Sequence, residues 1–249
     1  MKKCCIVGLG YIGLPTAIVL SQNDYLVLGV DVDEKIVQKI NKGEPHIQEP
    51  DLKESLEIAI QSGKLKASLT PSIADAFIIA VPTPFKKSKK SIPEANLDYL
   101  FNSIKSIAKV LKKNDLVIIE STSPVGTTTL SSKLIHKLTG FNEKQIKLAY
   151  CPERVLPGNI LHEIVNNDRI IGGMTLEASH EAKKLYQSFC KGNIHLTNSK
   201  TAELTKLAEN SFRDVNIAFA NELSMVCDRY GINARELIKL TNYHPRVNI

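Results

Sequence analysis

A glycine-rich turn that follows a short apolar strand is the feature that most constrains the fold of this chain. The strand Cys4–Val7 runs into GLGYIG, where Gly8, Gly10 and Gly13 have G-x-G-x-x-G spacing. A helical pattern comes next, and then a second apolar strand that ends at Asp31. Three glycines in this spacing are weak evidence alone. The complete order of strand, turn, helix, strand and acid predicts a βαβ unit that binds a dinucleotide.

Each glycine has a separate predicted role in such a unit. Gly8 allows the tight turn, Gly10 lets the backbone approach a pyrophosphate, and Gly13 lets the helix pack closely on the sheet. The phosphates would lie at the helix N-terminus, where unpaired N–H groups and the helix dipole favour anions. Tyr11 and Ile12 belong to the same predicted cofactor site.

The acid at the end of the second strand indicates which dinucleotide is bound. Asp31 can accept hydrogen bonds from the adenosine ribose hydroxyls and would repel a 2′-phosphate, and no arginine lies beside it. NAD is therefore favoured over NADP. Asp33 is assigned instead to capping the next helix. The alternative is a glycine-rich turn in another α/β fold.

Alternating apolar runs and amphipathic stretches predict an α/β domain with a doubly wound, Rossmann-type parallel sheet. This domain is expected to cover residues 1–197, and residues 198–249 are expected to begin an all-α dimerisation domain. The predicted strands are Cys4–Val7, Leu26–Val30, Phe77–Val81, Leu116–Ile119, Ile146–Tyr150 and Ile170–Ile171. The predicted helices between them include Leu14–Ser21, Glu34–Asn41, Leu52–Ser62, Leu97–Leu111 and Thr127–Leu138.

One long helical pattern follows Asn198 and ends near Gly231, a typical helix-terminating residue. An apolar arc along it comprises Leu204, Leu207, Ala208, Phe212, Val215, Ala218, Phe219, Leu223 and Val226. Because a helix of about 30 residues is long for a globular domain, we expect it to link domains or to form a homodimer interface over residues 200–230. A second helix is predicted over Ala234–Thr241.

Composition and charge limit the class of protein. The 249 residues have a formal net charge of +6, and no apolar run approaches the roughly 20 residues that a transmembrane helix needs. We expect a cytoplasmic protein without a membrane partner.

The five cysteines have no C-x-x-C spacing, which favours reduced thiols and argues against a metal site. The basic run FKKSKKS, residues 85–91, has no interleaved aromatic residues, so a solvated loop is expected rather than a nucleic-acid partner.

Polar clusters follow three of the predicted strands, at the edge where ligands bind in this fold. VPTP contains Thr83, and ESTSPVGTT contains Thr122. YCPERVLPGN contains Glu153 and Arg154. The first two segments also suit a proline-stiffened loop and a helix cap. On the long helix, Lys206 and Asn210 have i, i+4 spacing and share a face, an arrangement that spacing alone assigns to a solvated polar stripe.

Six motifs, in order along nearly the whole chain, resemble those of the UDP-glucose/GDP-mannose dehydrogenases: GLGYIGLPTA, VPTP, STSPVGTT, PERVLPGNIL, AELTKLAENSFRDVNIAFANE and HPRVNI. The PERVLPGN and HPRVNI variants are similar to the branch that acts on UDP-N-acetylhexosamines, above all UDP-N-acetyl-D-mannosamine. The resemblance implies oxidation of the sugar C6 alcohol to a carboxylate by two hydride transfers to NAD.

The resemblance also implies roles for individual residues. Lys206 and Asn210 match residues that stabilise the developing oxyanion. Glu153 matches a carboxylate that activates water, and Thr122 matches a hydroxyl that holds this water and lies at the cofactor with Thr83. The expected ligands of the UDP-sugar are Arg154, Val155, Lys206, Asn210, His244 and Arg246.

One expected element is absent from the sequence. The family's nucleophilic cysteine lies in a GGHC-like motif shortly after HPRVNI, and this chain contains no such motif. We therefore expect the N-terminal part of a longer enzyme, without its UDP-binding domain and inactive alone. Cys151, beside Glu153, is the cysteine to test as a substitute. The alternatives are a non-catalytic NAD-binding module, a UDP-N-acetylglucosamine or UDP-glucose 6-dehydrogenase, and a relative of the 3-hydroxyacid or 6-phosphogluconate dehydrogenases.

Overall fold

The computed structural model describes residues 2–86 and 92–249. Most of the basic run at 85–91, predicted to be a solvated loop, lies outside the described residues. The chain divides into two compact units, Met1–Leu204 and Thr205–Ile249.

The first unit contains one eight-stranded sheet with the order β3-β2-β1-β4-β5-β6-β7-β8. The strands are β1 (Lys3–Val7), β2 (Leu26–Val30), β3 (Leu65–Ser68), β4 (Ala76–Ile79), β5 (Leu116–Ile119), β6 (Lys147–Tyr150), β7 (Arg169–Gly173) and β8 (Ile194–Asn198). The helices are α1 (Gly13–Gln22), α2 (Glu34–Asn41), α3 (Leu52–Gln61), α4 (Asp98–Ile107), α5 (Thr127–Thr139), α6 (Ile160–Asn166), α7 (Leu176–Tyr186), α8 (Ser199–Tyr230) and α9 (Ala234–Thr241). α8 begins in the first unit and continues into the second.

Helices cover both faces of the sheet, which confirms the doubly wound fold. β4 shows why its sequence is a continuous apolar run. Ile78 packs into the core beneath α1 and α3, whereas Phe77 and Ile79 pack into the core beneath α4 and α5. A strand buried on both faces has no polar side to alternate with.

The strand order reverses beside β1. β2 and β4 both pair with β1 in parallel, one on each side, so successive parts of the chain add strands on opposite sides of β1. In an open α/β sheet, the crevice at the carboxyl ends of two such strands is the usual ligand site. The fold therefore brings the glycine turn after β1 and the VPTP segment after β4 to one crevice.

The prediction of a fully parallel sheet is wrong for the strands that follow β6. β7 pairs antiparallel with β6, and β8 then runs parallel to β7. The connection from β6 to β7, residues 151–168, contains α6 and does not carry the chain back along the sheet. β7 consequently starts at the edge where β6 ends.

The sequence prediction also lacks β3 and β8. Both are edge strands that include exposed residues, Lys66 on β3 and His195 on β8. An edge strand needs no continuous apolar run, so the pattern of these segments is weak.

The second unit contains the rest of α8 and α9. Gly231 has a φ of 65° directly after α8, which confirms it as the residue that ends this helix. The Asn233 side chain then caps α9 by accepting the N–H groups of Arg235 and Glu236. Several apolar side chains of α8 are exposed in the single chain, including Phe212 at 74% and Val215 at 68%. Among the described residues, no helix combines the length and apolar character needed to cross a membrane.

Candidate functional site

The turn between β1 and α1 is closed against the sheet on one side and open on the other. Gly8 has a φ of 95°, which favours glycine, and its N–H donates to Val30 O at 2.8 Å. A Cβ on Gly13 would lie 1.8 Å from the Gly8 carbonyl oxygen. A Cβ on Gly10 would meet no described heavy atom within 4 Å. A ligand can therefore reach the backbone at Gly10, while Gly8 and Gly13 are required for packing.

The carboxylate of Asp31 is held beside this turn, where β2 ends. Its Oδ2 accepts the N–H of Leu9 at 3.0 Å, and its Oδ1 accepts the N–H of Asp33 at 3.0 Å. These bonds orient the carboxylate and leave it lone pairs for a hydroxyl donor. Asp33 caps α2 by accepting the N–H of Lys35 at 2.8 Å, which confirms its predicted role.

The N-terminus of α1 is suited to an anion. Its N-cap residue, Ile12, offers no side-chain cap, and its first turn contains no acidic residue. Tyr11 precedes it in the turn and is half-exposed. Free N–H groups at a helix start attract phosphate groups. With open backbone at Gly10 and a fixed carboxylate at Asp31, these residues fit the pyrophosphate and adenosine ribose of a dinucleotide.

Hydrogen bonds join the segments that follow β4 and β5. Thr83 Oγ1 donates to the Thr122 carbonyl oxygen at 2.6 Å. Ser121 Oγ donates to Val81 O at 2.7 Å. The VPTP and ESTSPVGTT segments are thus fixed side by side at the carboxyl edge of the sheet, and the two threonines predicted to lie at the cofactor are neighbours.

The start of α5, in the second of these segments, is capped by a side chain from α8. Glu203 is fully buried, and its carboxylate accepts the N–H of Gly126 at 2.6 Å and the N–H of Thr128 at 2.7 Å. It also accepts the Thr128 hydroxyl at 2.6 Å. A carboxylate at a helix N-terminus satisfies unpaired donors and interacts favourably with the helix dipole. The N-terminal part of α8 is therefore attached to the sheet through Glu203.

Glu153 and Arg154, after β6, have different surroundings. Glu153 is buried, its Oε1 accepts the N–H of Arg154 at 2.7 Å, and its Oε2 lies 3.1 Å from Nη2 of Arg169. Arg154 is half-buried, and its Nη1 donates to Asp168 O at 3.2 Å. Val155 packs against the core on the α1 side of the sheet. The charge of Glu153 is thus compensated by a guanidinium from a neighbouring strand.

Cys151, the cysteine singled out as a substitute nucleophile, is not suited to that role. Its side chain is fully buried, and burial raises the pKa of the thiol to about 12, partly opposed by the charge of Arg169. At neutral pH such a thiol holds its proton, and the reactive form of cysteine is the thiolate. All five cysteines are free thiols, and four are buried.

Comparison with known proteins identifies the family. The family model for the NAD-binding domain of the UDP-glucose/GDP-mannose dehydrogenases matches residues 2–190, and the model for their central domain matches residues 200–249. The chain belongs to the UDP-glucose/GDP-mannose dehydrogenase family. Its cofactor is NAD, and the sequence-based prediction of the family is confirmed.

Members of this family with different substrates in their names are almost equally similar to the chain. UDP-N-acetyl-D-mannosamine dehydrogenase of Campylobacter jejuni is 54% identical, over 100% of this chain and 62% of the relative. NDP-N-acetyl-D-galactosaminuronic acid dehydrogenase of Ralstonia nicotianae is 52% identical, over 100% and 60%. The solved structure of a UDP-D-ManNAc dehydrogenase from Pyrococcus horikoshii superimposes with a TM-score of 0.94 at 45% identity, over 99% of this chain and 59% of that one. The chain thus spans about three fifths of the length of these relatives.

The remaining predicted site residues lie in the second unit. Lys206 and Asn210 are half-buried on α8, and their i, i+4 spacing places them about 40° apart around the helix. His244 and Arg246 follow α9 and are exposed, and the N–H of Arg246 donates to His244 Nδ1 at 3.3 Å. The roles of these four residues stay predictions from the family.

Sequence reasoning missed four residues that the structure brings to the strand ends. Glu203 caps α5, while Arg169, Glu120 and Tyr186 lie close to Glu153 in space. The signal for Glu120 and Arg169 was a charged residue next to a buried strand, a position where charge needs a partner. Tyr186 and Glu203 lie on helices, and no local pattern indicates what they contact.

Proposed function

We propose that this chain is the cofactor-binding part of an NAD-dependent nucleotide-sugar 6-dehydrogenase. The supporting observation is the glycine turn with its open backbone at Gly10, the uncapped start of α1 and the fixed Asp31 carboxylate, within a chain of this family. The predicted domains, residues 1–197 for NAD and 198–249 for the start of a helical dimerisation domain, are part of the proposal.

The proposed reaction converts the C6 alcohol of a UDP-sugar to a carboxylate. Two hydrides pass to two molecules of NAD, and one water supplies the second carboxylate oxygen. Glu153 is proposed to activate this water, and Thr122 to hold it. Lys206 and Asn210 donate hydrogen bonds to the developing oxyanion. Arg154, Val155, His244 and Arg246 are proposed to bind the nucleotide sugar.

UDP-N-acetyl-D-mannosamine is the proposed substrate, because the Campylobacter jejuni relative with this name is 54% identical. A UDP-N-acetylgalactosamine-type substrate is the second candidate, because the Ralstonia nicotianae relative is 52% identical. The 249-residue chain lacks the GGHC-like motif, so we propose that it binds NAD but does not turn over a UDP-sugar. A cytoplasmic homodimer is proposed through the exposed apolar face of α8.

Titration of NAD into the 249-residue chain tests the cofactor site. Asp31→Ala should weaken NAD binding at least about tenfold, because hydrogen bonds from the ribose hydroxyls to a charged acceptor are lost. Isothermal titration calorimetry measures this directly. Asp33→Ala is the matched control: it removes a cap from α2 but should leave NAD affinity near that of the unchanged chain. Equal losses in the two variants would contradict the assignment.

Turnover by a longer protein that contains this chain and the GGHC-like motif tests the reaction. We expect two NADH per molecule of UDP-N-acetyl-D-mannosamine and a sugar carboxylate as product. The 249-residue chain, assayed in parallel with the same sugar, should produce no NADH. Steady NADH formation by the short chain would contradict its proposed inactivity, and a faster reaction with UDP-N-acetyl-D-galactosamine would favour the second substrate. A monomeric longer protein in sedimentation would contradict the dimer.

A further inference from the structure

A group of ionisable side chains is buried at the carboxyl ends of β5 and β6. We call it the buried acid cluster, and it consists of Glu120, Cys151, Glu153, Arg169 and Tyr186. The Tyr186 hydroxyl donates to Glu120 Oε1 at 2.6 Å. The Arg169 guanidinium lies 3.1 Å from Glu153 Oε2 and 4.5 Å from the centre of the Tyr186 ring. Four segments of the fold, the ends of β5 and β6, the start of β7 and the end of α7, thus meet in a space closed to solvent.

The cluster contains one cation and two carboxyl groups. Arg169 is 3% exposed and remains charged, because a guanidinium does not deprotonate in proteins. Glu120 is 3% exposed and Glu153 is 7% exposed. Two ionised carboxylates would leave the cluster with a net negative charge away from water, which is costly. Two carboxyl groups in one site relieve this cost by keeping one proton.

Hydrogen bonding indicates which of the two carboxyl groups keeps the proton. Glu153 has two groups that favour its ionised form, the Arg169 guanidinium and the N–H of Arg154. Glu120 has the Tyr186 hydroxyl on Oε1, and Oε2 of each glutamate has no hydrogen-bond partner among the described residues. Only Glu153 Oε2 lies at ion-pair distance from the guanidinium, so the proton is better accommodated on Glu120.

We propose that Glu120 is a positioning residue that holds the proton of the buried acid cluster, so that Arg169 remains the counter-ion of Glu153 alone. Where Glu153 activates water, which rests on the proposed function, a neutral Glu120 leaves the Arg169 guanidinium to Glu153 and so holds the Glu153 carboxylate in place. Ionised Glu120 would compete for the same guanidinium. The proton state itself is a property of this chain and does not depend on catalysis.

The titration of Glu120 follows from its surroundings. Burial raises the pKa of Glu120 to about 7, the charge of Glu153 adds to the rise, and Arg169 and Tyr186 act against it. The titratable groups that face it are Cys4 on β1, Cys151 and Glu153 after β6, Arg169 on β7 and Tyr186 on α7. Below neutral pH Glu120 is therefore neutral in the folded protein.

Infrared spectroscopy of the 249-residue chain in heavy water tests the proposal. At about pH 6, where exposed carboxyl groups are mostly ionised, we expect the carbonyl band of a protonated carboxyl group. The band should disappear in Glu120→Gln and persist in Glu54→Gln, which makes the same change at an exposed position on α3. Absence of the band, or its survival in Glu120→Gln, would overturn the proposal.

The pH dependence of stability provides a second measurement. Because the folded state binds this proton more tightly than the unfolded chain, Glu120 contributes stability that is fully present below about 4.5 and is lost as the pH rises through about 7. The free energy of unfolding of Glu120→Gln, measured with urea, should therefore increase relative to that of the unchanged chain as the pH rises from about 5 to about 8. A difference in the free energy of unfolding that does not change with pH would contradict the assignment of the proton to Glu120.

A third variant keeps the proposal testable if glutamine at position 120 prevents folding. Tyr186→Phe removes the hydroxyl that stabilises ionised Glu120 and retains the ring beside Arg169. The infrared band should remain and its titration midpoint should move upward from about 7. A midpoint that stays in place or moves downward would exclude Glu120 as the source of the band.

Discussion

Replacement of Gly13 with alanine is expected to lower the free energy of unfolding by at least about 3 kcal/mol. The added Cβ would lie 1.8 Å from the carbonyl oxygen of Gly8 and 2.9 Å from its carbonyl carbon. Both are backbone atoms of the turn, so no side chain can rotate to make room. The first turn of α1 would have to move away from β1, and urea unfolding of the 249-residue chain measures the loss.

Gly10→Ala is the matched control for this effect. A Cβ at Gly10 meets no described heavy atom within 4 Å, so stability should stay within about 1 kcal/mol of the unchanged chain. NAD affinity should fall, since the methyl group would occupy the side from which the pyrophosphate approaches. A folded, NAD-binding Gly13→Ala variant would show that the turn can shift to accommodate the added Cβ. Equal destabilisation by both changes would show that the close approach to Gly8 is not the cause.

Replacement of Arg169 with methionine is expected to cost about 3–5 kcal/mol of stability at neutral pH. Methionine replaces much of the volume of the side chain but removes the charge that lies 3.1 Å from Glu153. The carboxylate would then be buried without a counter-ion, and the stacking of the guanidinium on Tyr186 would be lost. Denaturant unfolding near pH 7 measures the change.

An exposed ion pair provides the control for Arg169. Lys184 lies 2.7 Å from Glu181 on α7, but its side chain is 64% exposed, so Lys184→Met should cost at most about 1 kcal/mol. Adding Glu153→Gln to Arg169→Met should restore part of the lost stability, because the uncompensated charge is removed. Additive losses in the double variant would mean that the two side chains are not coupled.

Much of the fold follows from local sequence patterns. The apolar runs of β1, β2, β4, β5 and β6 are buried on both faces and have no polar alternation, so they were predicted within one or two residues. The antiparallel entry of β7 was not predicted. Its sequence is compatible with either direction, and the direction depends on where the chain re-enters the sheet after α6.

The proposed cofactor site has local sequence signals because its parts are close together in the chain. The three glycines lie in a tight turn and Asp31 lies at a strand end, and both features have local sequence signals. No local signal indicated which side chains meet in the buried acid cluster. Tyr186 contacts Glu120 across 66 positions, and Arg169 lies 16 positions from Glu153, so their proximity arises only when β5, β6, β7 and α7 pack together.

From its residues alone, this chain is recognisable as a doubly wound NAD-binding domain of a nucleotide-sugar dehydrogenase family, since periodicity and glycine spacing are properties of neighbouring residues. Folding adds the charge balance around Glu153 and the cap that Glu203 places on α5. Both depend on side chains that are distant in sequence and share a space without water, where a charge needs a partner. Such pairings are set by the packing of whole elements, which no local pattern encodes.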